Sequence, residues 1–457
     1  MQIKKYNFNK HITFSAFMLL CSLAFYLFFA FFDGAVICVD SPDYIEMNLA
    51  REPLYPLFLA LFRFLFQGVS PDFYLFAAVL FQSILAAVAS WSLTAYLTRE
   101  FHLTRAFSLL LLSISPAVSL LCRFAAKRGS MYSNSILTEG ITISCYLLFF
   151  RFLFEYTAKQ TKSALFACAL LSFLMISARK QMVVSLFMLI LGILIAFFPQ
   201  KRKGKGIAVA LLCSLGILLC NTGLDLGYNY LLRGEAVRHS SDTRFITTMA
   251  FYTAERGDFR YIEDPEIQEL FLLIYDICDE NRYLKAYAGE GWFNRSAHFG
   301  DHYDHIQIDT MWPLITDCAR KDYGDDVVAV NGRTDSIMNT INASVIPHNI
   351  SGIAATFLDN FLFGLVTTVA QKRSLLIGYS VLIYLLYLLL FVYHWFRRRD
   401  DRLSLFSLLT LISVLTNVGL VAMVIFCQTR YTIYNMPLFY ISFLLMLREP
   451  VRRFIKK

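Results

Sequence analysis

The chain has 457 residues, of which 57% are hydrophobic and 17% charged, and its formal net charge is +8. A soluble domain carries about 25% charged residues, so the composition excludes an ordinary soluble protein and predicts an integral membrane protein. The excess of Lys and Arg does not indicate nucleic acid, because most of it lies in short clusters beside apolar runs, where basic residues set membrane topology.

The apolar runs, taken in chain order, predict about ten transmembrane helices with both termini in the cytoplasm. They lie at 12–32, 73–97, 104–122, 134–154, 163–177, 182–198, 206–226, 374–396, 403–427 and 431–447. The first run follows a basic start, as in a signal peptide, but it is too long and lacks a cleavage site, so we expect a retained helix. The run "LYPLFLALFRFLF" would form about 20 Å of helix, which is too short to cross, and is predicted to lie at the interface.

The resulting fold class is an all-α polytopic membrane protein in three parts. Residues 1–226 form a transmembrane module with its first extracytoplasmic loop at 33–72, residues 227–372 a mainly α extracytoplasmic segment, and residues 373–457 the last transmembrane helices. Within the segment, "DPEIQELFLLIYDICDE" predicts an amphipathic helix capped by Asp264. Residues 350–373 predict a helix lying on the membrane. Cys278 and Cys318 are candidates for a disulfide if the segment is extracytoplasmic.

Several cations lie on the side that the positive-inside pattern disfavours. Each flanks a membrane helix, so we expect them to gather around one extracytoplasmic cavity and to hold a phosphate carried by a lipid. The alternative is that they extend to lipid headgroups. They are Arg123, Lys127, Arg128, Arg179, Lys180 and Arg430.

The first loop, "CVDSPDYIEMNLARE", is acidic. Ser41 and Pro42 predict a helix start, with Asp43 in its first turn, where the helix dipole favours a carboxylate. Capping therefore competes with a binding role for Asp43. Asp40 precedes this start, and we interpret it as a general base with a pKa raised by partial desolvation; a solvated loop carboxylate is the alternative.

Three short motifs resemble the GT-C superfamily of membrane glycosyltransferases, which includes protein O-mannosyltransferases and aminoarabinose transferases. Asp40-Ser41-Pro42-Asp43-Tyr44 is similar to the family's Asp-acidic-x-x-Tyr in the first outer loop. "SNSILTEG", which ends at Glu139 and Gly140, resembles Ser-x-x-Leu-(Ser/Thr)-Glu. Arg430-Tyr431 with Pro437 resembles the Arg-Tyr-x-x-Pro ending. The likeness covers residues 1–200 and 400–450.

The resemblance implies an inverting transferase that takes a sugar from a polyprenyl phosphate on the extracytoplasmic face of a cell membrane, and its bacterial members imply that this is a bacterial cytoplasmic membrane. Asp40 would be the base, and the acceptor a glycan, a lipid or a protein. Serine and proline replace the family's paired acidic residues, and Asp43 replaces a basic one, so Arg51 becomes the substitute phosphate ligand. The residues implied to bind the donor are Asp43, Tyr44, Arg51, Arg123, Lys127, Arg128, Glu139, Arg179, Lys180, Arg430 and Tyr431.

Other interpretations remain open. "SAHFGDHYDHIQID" places His298, His302 and His305 on one helix face, which makes a divalent cation an alternative to a hydrated surface turn. A polysaccharide polymerase or ligase would depend on basic residues of the large segment. A lipid transporter would carry ionisable groups near helix midpoints, and a scaffold would present the 227–372 segment without needing Asp40.

Overall fold

The computed structural model describes residues 8–125, 129–198, 203–240, 242–371, 373–397 and 401–455. These residues form nineteen α-helices and no extended strand, which confirms the all-α fold. In chain order the helices are α1 (Phe8–Asp33), α2 (Ser41–Ile45), α3 (Leu54–Phe66), α4 (Phe73–Glu100), α5 (Arg105–Ala125), α6 (Glu139–Lys159), α7 (Lys162–Ala178), α8 (Val184–Phe197), α9 (Lys203–Arg233), α10 (Thr243–Thr253), α11 (Pro265–Glu280), α12 (Trp292–Asp304), α13 (Trp312–Tyr323), α14 (Val327–Val345), α15 (Ile350–Val369), α16 (Leu375–Arg397), α17 (Asp401–Val424), α18 (Thr429–Thr432) and α19 (Met436–Ile455).

The described part of the chain contains nine helices that are long and apolar enough to cross a membrane, so the protein is a multi-pass membrane protein. They are α1, α4, α5, α6, α8, α9, α15, α16 and α17. Two predicted spans are not among them. α7 has only 17 residues, and α19 carries charged residues in its last turns, where Arg448 and Glu449 lie. The run at 54–66 is the short helix α3, as predicted.

α15 is long enough to span, whereas the sequence predicts a helix lying on the membrane. Its contacts place its C-terminal end beside the start of α16. Tyr440 donates a hydrogen bond to the carbonyl of Val369, and the hydroxyl of Tyr440 lies 2.8 Å from that of Tyr379. α16 then runs parallel to α19, with the Tyr387 hydroxyl 2.7 Å from that of Ser442. α15 therefore does not carry the chain to the opposite end of the bundle.

Helices α10–α14 have a hydrophobic core of their own. Phe251 of α10 and Phe271 of α11 stack with ring centroids 5.1 Å apart, and both are fully buried with Ile341 of α14. α11 begins as the sequence predicts, since the Asp264 carboxylate accepts from the backbone N–H groups of Glu266 and Ile267. We call the end of the bundle that carries these helices the domain end.

Candidate functional site

Two loops at the domain end are held together by backbone hydrogen bonds. Val36 and Ser135 form a short parallel bridge, in which the Val36 N–H donates to Asn134 at 2.9 Å and the Ile136 N–H donates to Val36 at 3.0 Å. The buried Ser41 hydroxyl donates to the carbonyl of Ile136 at 2.8 Å. This joint places the start of α2 next to the start of α6.

A buried glutamine fixes the second loop to the helix bundle. The Gln82 amide of α4 donates to the carbonyls of Ser133 and Ser135 at 3.1 and 3.2 Å. Its oxygen accepts from the hydroxyl of Tyr55, which lies on α3, at 2.8 Å. Gly140 lies against this amide, because a Cβ there would approach the Gln82 Cδ to 2.5 Å. Glu139, the first residue of α6, is therefore held in a fixed position.

Six charged side chains form one alternating chain across this end of the bundle. In order they are Arg179, Glu139, Arg430, Asp40, Arg51 and Asp43. Glu139 accepts from Arg179 at 2.6 Å and from Arg430. Asp40 accepts from Arg430 at 2.8 Å through one oxygen and from Arg51 at 2.9 Å through the other. With three arginines and three carboxylates, this set of six side chains has no net charge.

Among the three carboxylates of this charge chain, side-chain exposure increases towards the first loop. The Glu139 side chain is 0% exposed, that of Asp40 is 26% exposed and that of Asp43 is 39% exposed. Pairing with arginine is what makes a buried carboxylate such as Glu139 tolerable. Asp40 and Asp43 lie at the accessible end, where a ligand can reach them. The buried Glu139 orients Arg430, and the partly exposed Asp40 can accept a proton from a ligand.

Asp40 is the N-cap residue of α2, and its carboxylate makes no capping hydrogen bond. The sequence prediction that Ser41 starts the helix as its cap is therefore shifted by one residue. Burial raises the pKa of Asp40, but the charges of Arg430 and Arg51 together outweigh it and lower the pKa below its ordinary value. The expectation of a raised pKa is wrong, because the sequence does not show that both carboxylate oxygens face arginines.

Arg430 and Tyr431 lie on the short helix α18, which is anchored from two directions. The carbonyl of Tyr431 accepts from the Gln181 amide at 2.7 Å and from the Asn417 amide at 3.0 Å. The Arg179 guanidinium lies over the Tyr431 ring, 5.3 Å from its centroid. Burial lowers the pKa of Arg430, but Glu139 and its other acidic neighbours raise it above its ordinary value. Arg430 therefore stays charged.

Arg51 binds both acids of the first loop. Its guanidinium donates to Asp43 at 2.7 and 3.0 Å and also contacts Asp40. It lies over the ring of Tyr44, 5.0 Å from the centroid. Burial raises the pKa of Tyr44 to about 12, so its hydroxyl remains a neutral donor. Asp43, the predicted capping residue, is thus a partner of Arg51.

Two other predicted cations, Arg123 and Lys180, pair with acids outside the six-residue charge chain. Arg123 pairs with Asp33 and contacts three phenylalanine rings. Lys180 pairs with Asp242, and its backbone N–H donates to Glu52 at 2.6 Å. Lys127 and Arg128 lie outside the described residues. Of the six cations selected from the sequence, Arg430 contacts Asp40, and Arg179 joins the same charge chain through Glu139.

Two charged residues near Asp40 were missed by sequence reasoning. Arg244 of α10 is within electrostatic range of Arg51, Asp43 and Asp40. Burial raises the pKa of Asp304, at the end of α12, and the charge of Asp40 raises it further. Both come from the segment that the family resemblance does not cover, so no motif marked them. Asp304 lies within the acidic His/Asp stretch, where the sequence drew attention to metal binding instead.

The three histidines of that stretch do not form a metal site. His298 contacts the Tyr252 hydroxyl and the carbonyl of Arg282, and His305 contacts Asp309 at 2.7 Å. The His302 and His305 rings each stack on Tyr283. Across the described residues, no group of three His, Cys, Asp or Glu side chains is arranged to hold a metal ion. The cysteine pair also differs from the disulfide alternative, since Cys278 and Cys318 are both free thiols.

A small cavity, lined in part by Glu139, lies among α1, α4, α5, α6 and the start of α19. Its volume is about 40 Å³, and hydroxyls line it, among them those of Tyr26, Ser90 and Ser144. This is room for about one water molecule. The cavity is therefore too small for a sugar ring.

Comparisons of the chain with protein-family models, with curated proteins and with solved structures find no match.

Proposed function

We propose that the protein is an inverting glycosyltransferase that moves a sugar from a polyprenyl phosphate to an acceptor hydroxyl at the extracytoplasmic face of the membrane. The observation that carries the proposal is Asp40, a partly exposed carboxylate held between Arg51 and Arg430 at the mouth of a membrane bundle. A carboxylate serves as the base of such a reaction, and flanking arginines bind the phosphate that leaves. The resemblance of the three motifs adds support from the sequence.

The transfer step needs one proton acceptor and one anion site. The acceptor oxygen forms a bond to the anomeric carbon as the bond from that carbon to the phosphate oxygen breaks. The phosphate leaves with the electron pair, and the hydroxyl proton goes to Asp40. Since attack is opposite to the leaving group, the anomeric configuration inverts. The arginines stabilise the negative charge that develops on the phosphate.

The resting ion pairs explain how the base becomes active. Both oxygens of Asp40 are occupied by arginines, and its lowered pKa makes it a weak base. A donor phosphate competes with Asp40 for the same guanidinium groups. Its arrival releases an oxygen of Asp40 and weakens the positive field that lowers the pKa. The donor thus prepares the base that its acceptor requires.

The test uses purified protein in lipid nanodiscs with a panel of radiolabelled polyprenyl-phosphate monosaccharides. We expect the native protein to consume one donor and to release polyprenyl phosphate. Neither donor consumption nor phosphate release should occur with Asp40→Asn. Asp72→Asn is the matched control, because Asp72 is an exposed carboxylate of the same loop that makes no capping bond. Normal turnover by folded Asp40→Asn would refute the assignment of the base.

A polysaccharide polymerase or ligase remains the second candidate, and Arg244 favours it, because such an enzyme uses basic residues of the large segment. The same assay separates the two functions. A polymerase or ligase consumes lipid-diphosphate oligosaccharides instead of monosaccharide phosphates and tolerates Asp40→Asn.

A further inference from the structure

The chain of six charged side chains that contains Asp40 has no net charge, so an anion that binds there gives the site an excess of negative charge. Each of its arginines already faces a carboxylate, as do Arg123 and Lys180. A phosphate placed beside Asp40 would therefore add negative charge to a site without spare positive charge. Burying such a charge is unfavourable unless a further cation compensates it.

Arg244 is the cation in a position to do so. The segment that precedes it is fastened to the first loop, because the Ser240 N–H donates to the carbonyl of Leu49 at 3.1 Å and Arg233 donates to the carbonyl of Met47. Arg244 follows in the first turn of α10. Arg244 thus belongs to the extracytoplasmic segment, close to the point where that segment is hydrogen-bonded to the first loop.

The Arg244 guanidinium is held in place but has no anionic partner. It lies over the rings of Trp312 and Phe245, 5.2 and 5.1 Å from their centroids. Its Nε is buried without a hydrogen-bond partner, and among the residues that the structure describes no carboxylate forms an ion pair with it. Burial lowers the pKa of Arg244, and Arg51 lowers it further. Arg244 is partly buried as a whole, and a partly buried guanidinium without a counter-charge is unfavourable in the absence of a ligand.

We propose that Arg244 binds the phosphate group of the substrate and supplies the positive charge that the six-residue chain lacks. This rests on the proposed function for the identity of the phosphate, which is that of the lipid carrier. The Arg244 guanidinium is held against two aromatic rings, and its planar fork of N–H groups suits two-point contact with phosphate oxygens. The extracytoplasmic segment therefore takes part in substrate binding and is not only a cover.

The experiment measures binding of undecaprenyl phosphate to the full chain in nanodiscs, with undecaprenol as the uncharged probe. We expect Arg244→Gln to weaken binding of the phosphate roughly ten- to hundredfold, the loss for one charge-assisted hydrogen bond, and to leave undecaprenol binding unchanged. Arg244→Lys should recover part of the loss. Arg256→Gln is the control, since Arg256 is an exposed arginine of the same segment, paired with Asp276. Circular dichroism verifies folding, and Arg244→Lys carries the test if the glutamine variant does not fold.

The outcomes separate the two proposals. Equal affinity of native protein and folded Arg244→Gln overturns the anion site and leaves the Asp40 assay unaffected. Binding that depends on Arg244 without sugar transfer supports the anion site and counts against the transferase. Inorganic phosphate forms a second arm. If it stabilises the native chain but not Arg244→Gln, while undecaprenyl phosphate does not bind, the site takes free phosphate and the lipid source is refuted.

Discussion

Replacing Glu139 by glutamine tests whether the buried end of the charge chain is a structural element. Glu139 is fully buried and receives both Arg179 and Arg430. Glutamine keeps its shape but removes the charge that both guanidinium groups face. Breaking a buried ion pair by removing one partner costs about 3–5 kcal/mol, because the remaining charge stays buried without compensation. We expect Glu139→Gln to lower the free energy of unfolding by about this amount.

Asp40→Asn is the matched comparison. Each arginine that contacts Asp40 keeps a second carboxylate, since Arg51 retains Asp43 at 2.7 Å and Arg430 retains Glu139. Asp40 is also a quarter exposed, so solvent screens its ion pairs, and the loss should be about 1 kcal/mol. Denaturant titration of the protein in detergent, followed by circular dichroism and by the fluorescence of its four tryptophans, measures both. Equal destabilisation by the two variants, or a larger effect of Asp40→Asn, would refute this account.

Two further substitutions test other parts of the site. Asp304→Asn should stabilise the protein at neutral pH. Because the pKa of Asp304 is raised in the folded protein, the native protein loses stability as the pH rises through that pKa. The advantage of Asp304→Asn should therefore vanish below the ordinary pKa of 3.8. A constant difference in stability across the pH range would contradict this prediction. Gly140→Ala should cost about 1–3 kcal/mol and slow turnover, because its Cβ would displace Gln82. Gly216→Ala, a helical glycine with nothing within 4 Å, should instead be neutral or stabilising by about 0.5–1 kcal/mol, and unfolding midpoints compare the two.

Much of the fold could be predicted because the membrane helices are recognisable from continuous apolar runs in the sequence. The length of an apolar run decides whether it can cross the membrane, so most spans and the short helix α3 followed from composition. The Asp264 cap followed from its spacing to the first turn of α11. α15 was harder, because its length suits a span while its position depends on contacts with Tyr440 and Tyr379.

The candidate site could be predicted only in part, since its pairing is not local. The motifs identified Asp40, Glu139 and Arg430, but Arg430 and Glu139 are 291 residues apart in the chain. Which cation meets which acid depends on how the loops pack, and this determined the direction of the Asp40 pKa. Arg244 carries no motif at all. A basic residue beside an aromatic one is too common a pattern to indicate a phosphate site.

The alternating order of the six charges also constrains how this sequence can change over evolutionary time. A single substitution at an inner position leaves two neighbours of like charge facing an uncharged side chain, so it is selected against unless a neighbour changes too. Chains descended from a common ancestor with this one should therefore gain or lose these residues in opposite-charge pairs, such as Glu139 with Arg179. Asp43 lies at the exposed end of the six-residue charge chain and has a single arginine partner, so it should vary more freely than the inner residues.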